Sequence, residues 1–132
     1  MLENGIYDLR YSAAHEGTSD AGSGLAVLRD GKILGSDPWG GVFVGSCEFD
    51  PAACVNTVRL RFEVPPEGKL ITGFDAGPAG AVIDIVGAIP SGAAAAKTVV
   101  DVAGAPVNVE LTYLGPLPNE RAARRSAAKL RR

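Results

Sequence analysis

The sequence predicts an all-β domain, an antiparallel up-and-down barrel of about eight strands, and three observations carry that expectation. Apolar and polar residues alternate with period two through several runs, short segments rich in Gly, Pro, Asn and Asp separate the runs, and no amphipathic helix of useful length intervenes. The 132 residues amount to one ordinary domain, and 17 Gly with 9 Pro suit many turns between short strands. With 46% hydrophobic and 21% charged residues the chain is able to bury a core, which excludes wholesale disorder. A two-sheet sandwich is the alternative architecture, because strand alternation is the same in both.

The elements follow in order. Tyr7, Leu9 and Tyr11 share one face of the first strand while Asp8, Arg10 and Ser12 share the other. Leu25–Arg29 and Lys32–Ser36 flank Asp30-Gly31, a dipeptide whose tolerance of positive φ suits a two-residue type I′ hairpin. Val42–Phe49 is the next strand, and Asp50-Pro51-Ala52-Ala53 turns it into a long strand beginning near Cys54. There Val58, Leu60, Phe62 and Val64 alternate with Thr57, Arg59, Arg61 and Glu63. Pro65-Pro66-Glu67-Gly68 ends that strand, and Leu70–Phe74, Ala81–Ala88 and Lys97–Val102 are shorter strands. Ser91–Ala96 reads as a loop or one short helical turn, since an alanine run favours helix but is too short to nucleate one alone. The last strand alternates Val107, Val109, Leu111 and Tyr113 with Asn108, Glu110 and Thr112, and Gly115-Pro116 closes it.

The formal charge of −2 conceals an asymmetry. Residues 119–132 carry six basic side chains against Glu120, a net charge of about +5, whereas residues 1–118 carry seven basic and fourteen acidic side chains, near −7. The expected organisation is a barrel domain over 1–118 followed by a basic tail over 119–132, helical or disordered, which has good helix formers but almost no apolar stripe. An acidic, non-apolar opening resembles no secretory signal, and no stretch of about 18 uncharged apolar residues occurs, so a cytoplasmic location is expected. Six residues separate Cys47 from Cys54, which does not suit a zinc knuckle; two thiols buried or half-buried, or a disulfide clip across a hairpin, are the readings left.

Few residues carry chemistry. Gly22-Ser23-Gly24 lacks the third Gly and the following helix of a dinucleotide fingerprint, and no cofactor is implied. His15, with Glu16 beside it and Asp20 further on, lies in a polar loop with Ser19 and Ser23, where no rigid element holds a nucleophile or completes a metal site. No enzyme activity is expected. Glu48 and Asp50 are one strand period apart and project from one face at the lip of a turn, where they solvate the loop or meet a basic partner. Trp39, the only tryptophan, sits in the loop-like Asp37-Pro38-Trp39-Gly40-Gly41, either as a lid on the core or as an exposed anchor for a protein partner. The tail's cations are offset by the acidic body and lack aromatic platforms, so no direct nucleic-acid binding is expected.

Asn4-Gly5-Ile6-Tyr7, Gly22-Ser23-Gly24-Leu25-Ala26-Val27, Asp30-Gly31-Lys32-Ile33-Leu34-Gly35-Ser36-Asp37 and Phe43-Val44-Gly45, in that order and spacing, resemble the GrlR-like negative regulators of type III secretion. The likeness covers about the first 45 residues by motif and the later strands by pattern. It implies a lipocalin-like eight-stranded barrel that forms a homodimer and a regulator that captures a protein partner, in that family a transcriptional activator, through an acidic loop just after the aromatic-x-Gly. The corresponding stretch here, Ser46-Cys47-Glu48-Phe49-Asp50, supplies Glu48 and Asp50.

These readings together describe a non-enzymatic, regulator-like protein that binds and sequesters a protein partner, with Glu48, Asp50 and Trp39 as partner-binding residues and with Val42 and Val44 in an apolar outer patch for dimerisation. The alternative is a small apolar ligand held inside the barrel. Large inward side chains (Tyr7, Leu9, Tyr11, Leu60, Phe62, Leu111, Tyr113) would fill the barrel and speak against a ligand-sized space.

Overall fold

A computed structural model describes residues 1–13, 21–72, 74–90 and 95–118. His15, Glu16, Ser19 and Asp20, the segment 91–94 and the basic tail 119–132 lie outside the described residues. Eight strands form one antiparallel sheet: β1 (Gly5–Ala13), β2 (Ala21–Arg29), β3 (Lys32–Ser36), β4 (Val42–Asp50), β5 (Val55–Val64), β6 (Ala81–Pro90), β7 (Ala95–Val102) and β8 (Ala105–Gly115). Their order across the sheet is β6-β5-β4-β3-β2-β1-β8-β7, a meander in which β1 also pairs with β8. The sheet is rolled into a nearly closed up-and-down barrel, with essentially no helix among the described residues. One continuous sheet leaves no place for the sandwich.

Closure is incomplete. β6 and β7 come side by side at the two ends of the sheet without a backbone ladder between them among the described residues, and the Thr98 hydroxyl donates to the Ala88 carbonyl at 2.9 Å across this seam. Barrel closure by backbone pairing thus holds at seven junctions, and a side chain bridges the eighth.

The alternation positions the core as the sequence implies. Tyr7, Leu9 and Tyr11 of β1, Val58, Leu60, Phe62 and Val64 of β5, and Val107, Val109 and Leu111 of β8 face the interior. Phe43 and Phe62 are cross-strand partners whose rings stack 4.5 Å apart at 17°, at the centre of a buried cluster with Val64, Ile83, Ile85, Val102 and Val107. A second cluster, Val58, Ile89 and Ala96, lies towards the end where Leu2 enters.

Three expectations are corrected. Leu70–Phe74 is no strand among the described residues: residues 65–72 and 74–80 form a compact plug across one mouth of the barrel. Hydrogen bonds from Glu67 N to Gly77 O (2.7 Å), Leu70 N to Phe74 O (2.9 Å) and Ala76 N to Gly68 O (2.9 Å) hold it together. Leu70, Ile71 and Phe74 look like strand residues because they are apolar, but they are half-buried and pack against the core from the plug. Ser91–Ala96 is neither wholly loop nor helical turn, since Ala95 and Ala96 begin β7, where pairing with Thr112 and Leu111 overrides alanine's helical preference. Ser23 belongs to β2 and not to a loop, as β2 starts at Ala21, four residues before the expected Leu25. Gly22 allows this: it pairs with Tyr11, whose ring occupies the space that a Cβ at position 22 would need.

The Asp30-Gly31 hairpin has the expected form. Asp30 (φ 50°) and Gly31 (φ 79°) are both left-handed between the paired Arg29 and Lys32, as a type I′ turn requires. Asn4 secures it from outside: its Nδ2 donates to Asp30 Oδ1 at 3.1 Å and its Oδ1 accepts from Asp30 N at 3.0 Å. Replacing Gly31 by Val should lower stability by at least about 1 kcal/mol, because a β-branched residue resists that φ. Urea denaturation checks this, and an unchanged midpoint would refute the turn's contribution. Ala103 (φ 51°) and Gly104 (φ 85°) make a second turn of the same kind between β7 and β8.

Candidate partner-binding surface

Trp39 lies in the connection from β3 to β4, and the local sequence explains how it is displayed. The Asp37 carboxylate accepts from Trp39 N at 2.9 Å and Gly41 N at 2.8 Å, while Asp37 N donates to Gly41 O at 3.0 Å. Gly40 takes a left-handed φ of 91°, and Gly41 sits so close to Phe62 that an added Cβ would fall 2.6 Å from its ring. The loop is thereby anchored to the core at its base. The indole itself is 73% exposed, so the lid reading fails; the plug at 65–80 covers that mouth instead. Trp39 borders an open groove on the outside of β1, β2, β7 and β8, where Arg10 pairs with Asp8 at 3.1 Å and Lys97 and Glu110 add charges of both signs.

Glu48 and Asp50 do share the outward face of β4, together with Val42, Val44 and Ser46. Their roles differ. Asp50 Oδ1 accepts from Ala52 N at 2.9 Å and Ala53 N at 3.4 Å, so its carboxylate shapes the turn into β5. Glu48, paired with Thr57, has no ion-pair partner among the described residues and is free to meet a ligand. One row away, in register, lie Arg29, Lys32 and Arg59, whose charge tempers the acidity that Glu48 and Asp50 present. Trp39 and the acids sit at opposite ends of β4, which is nine residues long and so spans about 27 Å. The structure does not bring them together.

The outer face also carries an apolar row wider than Val42 and Val44. Ile6, Val27, Leu34 and Val44 are successive cross-strand partners over β1 to β4, and all four point outward. Leu34 is 60% and Val44 45% exposed, with the exposed Leu25 and the half-buried Val42 in the next row. Val42 and Val44 were visible as an outer patch, but Val27 and Leu34 join them only through the register. The discoverable signal was the second, outward set of apolar residues in strands whose inward set is already apolar.

Inside, the described residues enclose a cavity of about 150 Å³ with an apolar lining. Tyr7 and Tyr11 contribute rings to it. Burial pushes the Tyr7 phenol up to about 12, with Tyr113 and Glu3 adding to the effect, and burial likewise pushes Tyr11 up to about 12, with Asp37 adding. The unfolded chain loses these protons near pH 10, whereas the folded protein keeps them to higher pH. Stability is therefore full below about pH 10 and falls between about pH 10 and 12. Urea midpoints across that window should decline, and Tyr11→Phe should flatten the decline; an unaltered slope in the variant would count against the assignment. Cys47 and Cys54 are not bridged: Cys47 is half-buried, with burial raising its thiol pKa, and Cys54 is exposed.

Among the described residues no three His, Cys, Asp or Glu side chains converge as metal ligands, and no helix is long and apolar enough to cross a membrane. No protein-family model matches the chain, and no curated protein is similar to it in sequence.

Proposed function

We propose that this protein is a non-enzymatic, cytoplasmic binding protein that sequesters a protein partner, in the manner of the GrlR-like regulators whose motifs its first 45 residues resemble. The observation that supports this reading is Trp39: an indole exposed to 73%, carried on a loop whose backbone the Asp37 carboxylate has already ordered. A rigid, exposed aromatic loses little entropy on capture and is the residue type that most often dominates an interface, at about 2 kcal/mol or more. Glu48 contributes a separate contact at the other end of β4, and Asp50 supports it by holding the turn. A transcriptional activator with a basic surface is the partner class that the resemblance implies.

The protein works as a homodimer through the row Ile6, Val27, Leu34 and Val44. A two-fold axis crossing the row at β2 to β4 lays Val27, Leu34 and Val44 against their own copies. Sedimentation at about 50 µM should give the dimer mass, and Leu34→Glu should give the monomer; a wild-type monomer under those conditions removes the dimer from the proposal.

The functional test is pull-down from native cytosol with wild type, Trp39→Ala, and Glu48→Ala combined with Asp50→Ala. The expected result is a protein recovered with wild type and lost or weakened at least tenfold with Trp39→Ala. As the only tryptophan, Trp39 should also shift its emission to the blue when the recovered partner is added. Full retention of every recovered protein by all variants would overturn the reading.

A further inference from the structure

The interior cavity is lined by neither Trp39 nor, Val27 excepted, the outer row, and its chemistry is unusually restricted. Its walls come from all eight strands, with Leu9, Phe43, Leu60, Phe62, Ile85 and Val107 among them, and a different element lines each of its ends. Leu70 and Ile71 line one end. Leu2 lines the other, held there by its backbone N–H donating to Asn56 Oδ1 at 3.1 Å.

Four of the lining residues bear polar side-chain atoms, and each atom is already engaged. Tyr7 Oη donates to Glu3 O at 2.6 Å, Tyr11 Oη to Ser23 O at 3.1 Å and Thr98 Oγ1 to Ala88 O at 2.9 Å, while Thr72 Oγ1 accepts from Phe74 N at 3.4 Å. Among the described residues no charged side chain lines the cavity, and the Thr72 hydroxyl proton is the one side-chain donor left unengaged, too little to neutralise a carboxylate or a phosphate. Burying such a group here would leave it short of hydrogen bonds, at a cost that apolar contact in so small a space does not recover. An empty apolar space of this volume, by contrast, stays dry and accepts benzene-sized molecules.

We infer that the barrel interior is a binding site for one small, uncharged, apolar molecule of about the size of a single aromatic ring with one or two attached carbons. Chain-length lipids are excluded by volume, since sites for drug-sized ligands need about 300 Å³ or more. Fatty acids are excluded twice, by length and by the missing partner for the carboxylate. The large inward side chains leave too little room for a carrier of long ligands, and the residual void sets the size of what remains.

Thermal unfolding of the full chain with saturating toluene, with indole and with octanoate tests the inference, using Ala26→Leu and Val109→Phe as two independent variants that fill the space from buried or half-buried lining positions. Toluene should raise the wild-type midpoint in a concentration-dependent way, octanoate should not, and at least one folded filling variant should lose the toluene effect at least tenfold in apparent affinity. An unchanged wild-type midpoint in toluene overturns the inference, as does an equal toluene effect in every folded filling variant. A rise with octanoate equal to that with toluene overturns the exclusion of charged ligands. None of these outcomes bears on capture through Trp39, which is read from partner recovery.

Discussion

Replacing Phe62 by Ala is expected to destabilise the protein by about 3–5 kcal/mol, the largest effect of any single apolar truncation in the barrel. Phe62 is 5% exposed, stacks on Phe43 at 4.5 Å and supports the base of the Trp39 loop where Gly41 approaches its ring. Removing it forfeits buried area and ring stacking and enlarges a void that the rigid strands cannot close. Equilibrium urea denaturation measures the loss, and Phe62→Leu, which restores most of the volume, should recover more than half of it. A loss below about 1 kcal/mol for the alanine variant would mean that the cluster around Phe43 collapses freely into the vacated space.

The second large effect falls on a polar residue. Asn56 is fully buried on the inward face of β5, with Oδ1 accepting from Leu2 N and Nδ2 donating to Ile89 O at 3.2 Å. Asn56→Ala leaves a donor and an acceptor in the interior without their side-chain partner, and each such orphan costs about 1–3 kcal/mol. A total of about 2–6 kcal/mol is expected by urea denaturation, accompanied by faster amide exchange at Leu2. Asn56→Asp keeps an acceptor for Leu2 but loses the donor to Ile89, so it should protect the Leu2 amide while remaining destabilised. Equal exchange at Leu2 in wild type and Asn56→Ala would show that the side chain does not hold the N-terminal segment.

Asn56 also illustrates what the sequence makes legible and what it does not. It stands in phase with Val58, Leu60, Phe62 and Val64, and a lone amide on an apolar face is a signal for a satisfied buried network, yet its partners at positions 2 and 89 are set only by the closed sheet. The alternation in β1, β5 and β8 and the Asp30-Gly31 turn are visible in the residues because their cause is local: side-chain period and positive φ. Leu70–Phe74 misleads for the opposite reason, since burial there comes from plugging a mouth of the barrel and has no strand period behind it. Trp39 is ambiguous in sequence because lid and anchor share the same loop composition. The Asp37 hydrogen bonds and the exposure of the ring separate the two readings, and Glu48 and Asp50 divide likewise once the turn bonds of Asp50 are known.

The pairing of β1 with β8 governs how the molecule comes into being. Every other ladder joins strands adjacent in sequence, whereas this one sets Leu9 against Leu111 across nearly the whole chain. As the polypeptide emerges, β1 to β6 are able to zip up one hairpin at a time by inexpensive local steps, but β1 keeps a bare edge until the final hairpin arrives. That hairpin, β7 with β8, carries its own Ala103-Gly104 turn and is suited to dock as a preformed unit. The slow step in folding is then a single long-range docking event, and for as long as it is pending the free edge of β1 is the place where one nascent chain would pair with another.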